Sequence, residues 1–211
     1  MLKKYKHISF DLDGTLVHTI PEYRYQIVPE VIRFLGGKMG SDRDIDKFWF
    51  EPDRDNIIKD KFGLDPDRFW QIFRRLDIPE ERAKQTFAYG DAEACIRKIK
   101  GGGKKVSVIT GAPENIARME IAKLNGAPID LFFATLFSHL PTKPAPDGLF
   151  FVLNKLGVNS ADTVYIGNSN EDALFAKNAG VDFIYLERKQ HEFDSMDWAI
   201  KTIHSLGELI E

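Results

Sequence analysis

Apolar positions along this chain follow two rhythms. Short runs rich in β-branched and aromatic residues alternate with stretches whose apolar residues recur every three or four positions. The first kind predicts strands over residues 7–11, 104–110, 163–167 and 182–186, with a shorter one over 131–134. The second predicts helices over 92–100, 114–125, 146–156, 171–179 and 196–209. Pro113 and Pro146 stand where helices begin, a place that tolerates proline. Gly126, Gly157 and Gly180 stand where helices end. Strands alternating with helices imply the α/β class: a doubly wound parallel sheet with helices on both faces.

Between residues 19 and 89 the rhythm changes. No strand alternation shows there, and helical spacing covers 22–35, 42–50, 54–61, 65–76 and 79–86. The segment is rich in charge and in aromatics, Trp49 and Trp70 among them. A small helical insertion after the first strand is the economical reading. It divides the chain into an α/β core, residues 1–18 and 90–211, and an inserted domain, 19–89. The segments 18–21 and 88–91 would be hinges.

Composition narrows the partners. The formal net charge of −3 gives no electrostatic case for nucleic acid. The one basic cluster, Arg97-Lys98 through Lys104-Lys105, straddles three glycines and reads as a solvated helix end. No apolar run approaches the roughly 20 residues needed to cross a membrane. Cys95 is the single cysteine, which excludes an intramolecular disulfide and a cysteine-based zinc cluster. The first six residues are charged and lead into a strand, not into an apolar signal region. A cytoplasmic protein is expected; nothing in the chain sets its oligomeric state.

The chemistry concentrates at residues 10–16, Phe-Asp-Leu-Asp-Gly-Thr-Leu. Asp11 and Asp13 follow directly on the first strand, where an open α/β sheet builds its ligand site. Two carboxylates this close repel each other and favour a hard cation such as magnesium nearby. An ionised aspartate is also a nucleophile. Asp-x-Asp-Gly occurs in ordinary turns and calcium loops too, but Leu16, Val17 and His18 supply none of the further ligands a calcium loop needs.

Three more places lie beyond predicted strands or in the loops between them. Thr110-Gly111 reads equally as a helix cap or as a phosphate site of one hydroxyl and helix-start amides. Lys143, in Thr-Lys-Pro-Ala-Pro-Asp-Gly, sits in a loop stiffened by prolines on both sides; alone it would be a solvated lysine. Gly167-Asn168-Ser169-Asn170-Glu171-Asp172 offers amide and carboxylate oxygens, or simply caps a helix.

The succession of these four places resembles the haloacid dehalogenase superfamily, most closely its phosphatases and phosphomutases with a helical cap inserted after the first motif. The resemblance runs from Phe10 to Leu186. It implies a Rossmann-like core and a magnesium-dependent phosphatase acting on a small phosphorylated metabolite. Asp11 would be the nucleophile and Asp13 the general acid, then base. Thr110 would hold phosphate oxygens with backbone amides near Leu12 and Gly111, and Lys143 would bind Asp11 and the phosphate together. Mg2+ would be held by Asp11, the Asp13 carbonyl, Asn168 and Asp172. The helical insertion would close over the site and choose the substrate, with Tyr23, Arg24, Tyr25, Trp49 and Arg54 as conceivable contacts unless they form the cap's own core. His18 would approach the substrate or mark the hinge.

One position departs from the pattern. The fourth motif of the family begins Gly-Asp, and here it is Gly167-Asn168. An amide oxygen ligates magnesium without charge, so weaker metal binding is expected. Three other readings share the core: a phosphomutase, a metal-independent 2-haloacid dehalogenase and a non-catalytic phosphate-ligand-binding relative. The dehalogenase reading conflicts with Asp13 and the Asp-Gly-Thr string; the binding-protein reading conflicts with the presence of Asp11, Asp13, Thr110 and Lys143 together.

Overall fold

The computed structural model describes residues 1–136, 138–191 and 198–211. The chain divides into two compact units, Met1–His18 with Phe87–Glu211, and Thr19–Thr86.

The first unit is built on a six-stranded sheet in the order β5-β4-β1-β6-β7-β8. Its strands are β1 (His7–Phe10), β4 (Lys105–Pro113), β5 (Leu131–Leu136), β6 (Thr163–Gly167), β7 (Asp182–Leu186) and β8 (Ala199–Ile203), and each neighbouring pair is parallel. Parallel strands covered on both faces need apolar residues on both, which is why these runs are nearly continuous. Ile8, Phe10, Val106, Val108, Val164 and Ile166 pack with α6 (Ala92–Gly101) and α7 (Glu114–Ala122) on one face. Ile109, Tyr165 and Phe183 pack with α8 (Asp147–Leu156) and α9 (Asn170–Asn178) on the other. Cys95 lies fully buried on α6, where burial pushes its thiol up to about 12.

On that second face β1 is polar. His7 and Ser9 alternate with the apolar Ile8 and Phe10. The His7 ring bonds Ser107 Oγ at 2.8 Å and Thr163 Oγ1 at 3.2 Å, and Ser107 bonds Ser9 at 2.9 Å. Burial lowers the His7 imidazole to about 4, so it is held neutral.

The second unit carries α1 (Pro21–Leu35), α2 (Asp42–Phe50), α3 (Arg54–Phe62), α4 (Pro66–Leu76) and α5 (Pro79–Lys84). Apolar residues at helical spacing meet in one aromatic core, where Phe48 and Phe69 are in ring contact with each other and each with Phe62 and Phe73. Two ion pairs stand beside it: Arg24 with the half-buried Asp46, and the buried Arg82 with Asp77.

Three expectations are corrected. The helix expected over 196–209 is instead β8 and a 3-10 turn, Leu206–Leu209; its first two positions, 196 and 197, lie outside the described residues. Trp198, Ile203, Leu206 and Leu209 mimic a helical period, but Ala-Ile-Lys-Thr-Ile is rich in β-branched residues and completes the sheet edge. The insertion was expected to lack strands, yet β2 (Val17–Thr19) and β3 (Thr86–Ala88) pair in a two-stranded ribbon at its ends. Three residues are too few to show alternation. The helix expected over 114–125 ends at Ala122, before a turn in which Asn125 and Gly126 both take positive φ.

Candidate active site

The chain winds outward from β1 through β4 to β5, then crosses back to β6 and continues to β7 and β8. The carboxyl ends of β1, β4 and β6 therefore face the crevice where the winding reverses, the place where open α/β sheets bind ligands. Asp11 follows β1, Thr110 ends the regular part of β4, and Asn168 follows β6.

Asp11 is fixed by its own backbone, whose N–H donates to Ile166 O at 2.9 Å. Its carboxylate meets Lys143. The ammonium donates to Asp11 Oδ1 at 2.8 Å and to Asp172 Oδ1 at 2.7 Å. Lys143 comes from the loop before α8 and is held there by Thr142, whose hydroxyl bonds Thr135 at 3.0 Å. Its ammonium also lies 5.2 Å from the Tyr165 ring and 5.4 Å from that of Phe175. The Lys143 side chain is 1% exposed, so this lysine is not the solvated one its local sequence alone would permit. Burial by itself would lower the ammonium, but Asp11 and Asp172 together raise it well above its ordinary range. Burial, then the Asp172 charge, pushes the Asp11 carboxyl up to about 7 against the pull of Lys143.

Asp172 is committed to this arrangement. Its Oδ1 takes Lys143, and its Oδ2 accepts from the Asn168 and Ser169 N–H groups, both at 3.1 Å, and from Ser169 Oγ at 2.7 Å. Ser169 accepts from the Asp172 N–H in return, a capping box that starts α9. One residue therefore both caps α9 and meets Lys143.

Thr110 is not a helix cap. Its hydroxyl accepts from the Ala112 N–H at 3.1 Å, which leaves its own proton to donate. Gly111 follows, and a side chain there would meet Glu171 Oε2 at 3.3 Å. Asp13 is half-buried and bridges to Val17 as the chain turns. Gly14 takes φ +85° in that turn, and a Cβ on it would lie 2.1 Å from Asn168 Nδ2. Thr15 Oγ1 donates to Asn168 Oδ1 at 3.2 Å, and Asn168 Nδ2 donates to Gln190 Oε1 at 3.4 Å. Oxygens stand at the Asn168 amide and the Asp13 main chain of this turn, and at the Asp11 carboxylate that follows β1. Oxygen-only donors beside a close-packed glycine fit a hard divalent cation. No cluster of three or more His, Cys, Asp or Glu side chains suited to a metal occurs among the described residues, so a cation here would depend on amide and main-chain oxygens as well.

A family model for haloacid dehalogenase-like hydrolases matches residues 5–180. The chain belongs to this family. Among curated haloacid dehalogenase-like relatives, a phosphoglycolate phosphatase of Pseudomonas syringae is 28% identical over 189 residues, covering 83% of this chain and 67% of that protein. A phosphoglycolate phosphatase of Pasteurella multocida is 25% identical, covering 85% and 84%. Among solved structures, a haloacid dehalogenase-like family hydrolase from Streptococcus pneumoniae superposes with a TM-score of 0.80 at 16% identity over 99% of this chain and 98% of that one. The fold class expected from the alternation of strands and helices is thereby shown.

Residues far apart in sequence meet: Lys143 is in direct contact with both Asp11 and Asp172, and Asn168 is bonded to Thr15. The five residues considered for substrate contact are engaged inside their own unit. Tyr23 OH bonds Asp77 at 2.7 Å, Arg24 Nε and Tyr25 OH bond Asp46 at 2.7 and 2.8 Å, Trp49 packs on the aromatic core, and Arg54 Nε bonds Phe48 O at 3.2 Å. The His18 ring lies 4.6 Å from that of Tyr89. Sequence reasoning missed Arg188 and Gln190, in the loop after β7. No motif marks them, and only their position beyond a strand's carboxyl end signals them.

Proposed function

We propose that this hydrolase is a magnesium-dependent phosphatase acting on a small phosphorylated metabolite through an aspartyl-phosphate on Asp11. The observation that carries the reading is the buried Lys143 ammonium shared between Asp11 and Asp172 at the crevice end of the sheet. A phosphate monoester dianion and a carboxylate repel each other, and a fixed cation offsets that repulsion where the phosphoryl group transfers.

The steps follow from the residues. An Asp11 carboxylate oxygen attacks phosphorus as the bond to the ester oxygen breaks. Asp13 gives its proton to the leaving alkoxide. A water then attacks the phosphorus of the aspartyl-phosphate, Asp13 takes the proton, and the Asp11–phosphorus bond breaks to release inorganic phosphate. Thr110 donates its hydroxyl to a phosphate oxygen, with backbone amides near Leu12 and Gly111. Lys143 holds Asp11 and the phosphate together. Asp11, the Asp13 carbonyl and Asn168 would hold Mg2+, with Asp172 reaching it indirectly, and the ion would supply further charge neutralisation.

The inserted unit is proposed to be the cap that selects the substrate. The names of the relatives put phosphoglycolate first among the compounds to try. The proposed location is the cytoplasm, in keeping with one buried, free cysteine and no described helix long and apolar enough to cross a membrane. Phosphate release from p-nitrophenyl phosphate and from a panel headed by phosphoglycolate tests the reading. Release with magnesium, abolished by chelator and by Asp11→Asn, is expected. Turnover of a 2-haloacid without metal, or ligand binding without turnover, contradicts it.

A further inference from the structure

The loop after β7 carries a side chain that nothing in the phosphatase reading uses. Arg188 forks onto Asp91, with Nη1 to Oδ2 at 3.0 Å and Nη2 to Oδ1 at 2.8 Å. Nη2 also donates to the Thr15 carbonyl at 3.2 Å. The guanidinium lies 3.8 Å from the centre of the Tyr89 ring, and the side chain is 9% exposed. Its Nε is buried and has no hydrogen-bond partner among the described residues. Stacking, a bidentate carboxylate and a main-chain carbonyl on one planar group define its position in every direction.

What Arg188 grips is the turn that follows the first motif. Thr15 lies two residues beyond Asp13, and its hydroxyl reaches Asn168. Asp91 is anchored in turn by the Leu206 N–H at 2.9 Å, and Tyr89 N–H donates to Leu16 O at 3.0 Å. Two residues on, Gln190 Oε1 accepts from Asn168 Nδ2. Between them Lys189 takes φ +56° and is exposed, so the chain turns outward there. One loop thus touches both sides of the site, the Asp13 turn through Arg188 and Asn168 through Gln190.

We propose that Arg188 is a positioning residue: clamped by Asp91 and Tyr89, it holds the Asp13–Thr15 turn so that Asp13 meets the leaving group in one orientation. The role given to Asp13 rests on the phosphatase reading; the clamp itself does not. A charge alone would not perform this task, because a lysine has no planar fork to reach Asp91 and Thr15 O together. The clamp works through the backbone of the turn, at the Thr15 carbonyl.

The test compares wild type with Arg188→Lys, the mildest substitution, by hydrogen exchange across residues 12–17, by kcat and KM for phosphate release, and by melting temperature. Arg188→Lys should exchange faster over 12–17 while the β7 and α9 amides keep wild-type rates. Its kcat should fall about tenfold to a hundredfold with KM within about twofold, the pattern of a displaced reacting group. A side chain that serves only stability would lower the melting temperature and leave kcat unchanged below it. Wild-type exchange over 12–17, or a wild-type kcat, overturns the proposal. Failure of the phosphatase reading is distinguishable, because it is seen in the unsubstituted protein as absence of phosphate release, and the exchange measurement then decides the clamp by itself.

Discussion

Lys143 and Asp11, separated by 132 positions in the chain, meet at 2.8 Å in a site closed to solvent on the lysine side. One ammonium also serves Asp172, so a single cation balances two buried acids. Removing either partner from a buried pair leaves an uncompensated charge, and the energetic consequence is large.

Lys143→Met should therefore damage both stability and activity. Asp11 and Asp172 would face each other without a cation, and the expected loss is about 3–5 kcal/mol in urea unfolding at neutral pH. Phosphate release should fall by at least about 10²-fold. A variant as stable as the wild type would show that the ion pair contributes nothing to the fold.

Asn168→Asp restores a carboxylate where the family carries one. Magnesium binding followed by calorimetry should tighten by about tenfold, since ligand charge count tunes affinity for hard cations. In chelator the same variant should melt lower than wild type, because it adds a third buried carboxylate to the two that Lys143 already balances. Unchanged affinity would remove Asn168 from the cation's ligands.

Gly14→Ala tests the tight approach of the first motif to the fourth. A side chain at φ +85° is strained, and its Cβ would overlap Asn168 Nδ2 at 2.1 Å. The backbone strain alone is worth about 1–2 kcal/mol, so the melting temperature should drop and the magnesium titration should weaken together. Loss of stability with wild-type magnesium affinity would separate the glycine from the site.

His7 gives a stability that depends on pH. Burial holds its ring at about 4, below its ordinary 6.5. Above about 6.5 the folded and unfolded chains both carry a neutral ring. Between that and about 4 only the unfolded chain takes up the proton, so the fold loses stability as pH falls. From pH 7 to pH 5 the loss from this one group is about 2 kcal/mol. Urea unfolding of His7→Gln at both pH values should show a difference smaller by that amount; an equal difference in both proteins would refute the assignment.

Much of the core was legible because its strands are buried on both faces and read as unbroken apolar runs. The runs at 163–167 and 182–186 match β6 and β7 to the residue. The edge was not legible. β8 is exposed along most of its length, so no burial run marks it, and the apolar positions of a strand and the turn after it together imitate a helix. The four motif sites were visible as residue types, but only the family resemblance, not the local strings, paired Lys143 with Asp11. Nothing local says that Lys143 is buried between the Tyr165 and Phe175 rings, or that Asp172 spends one oxygen on its helix cap and the other on Lys143. Arg188 and Gln190 were invisible for the same reason: their partners, Asp91, Thr15 and Asn168, lie in other loops and turns of the chain.

The most direct measurement is mass spectrometry of the protein quenched in acid during turnover of a phosphate monoester with magnesium, using wild type and Asp13→Asn. One phosphoryl group on Asp11, accumulating further in Asp13→Asn where hydrolysis is slowed, is the predicted result. Phosphate release that continues in Asp11→Asn, with no phosphoryl group on residue 11 of the wild type at any time, would contradict the account.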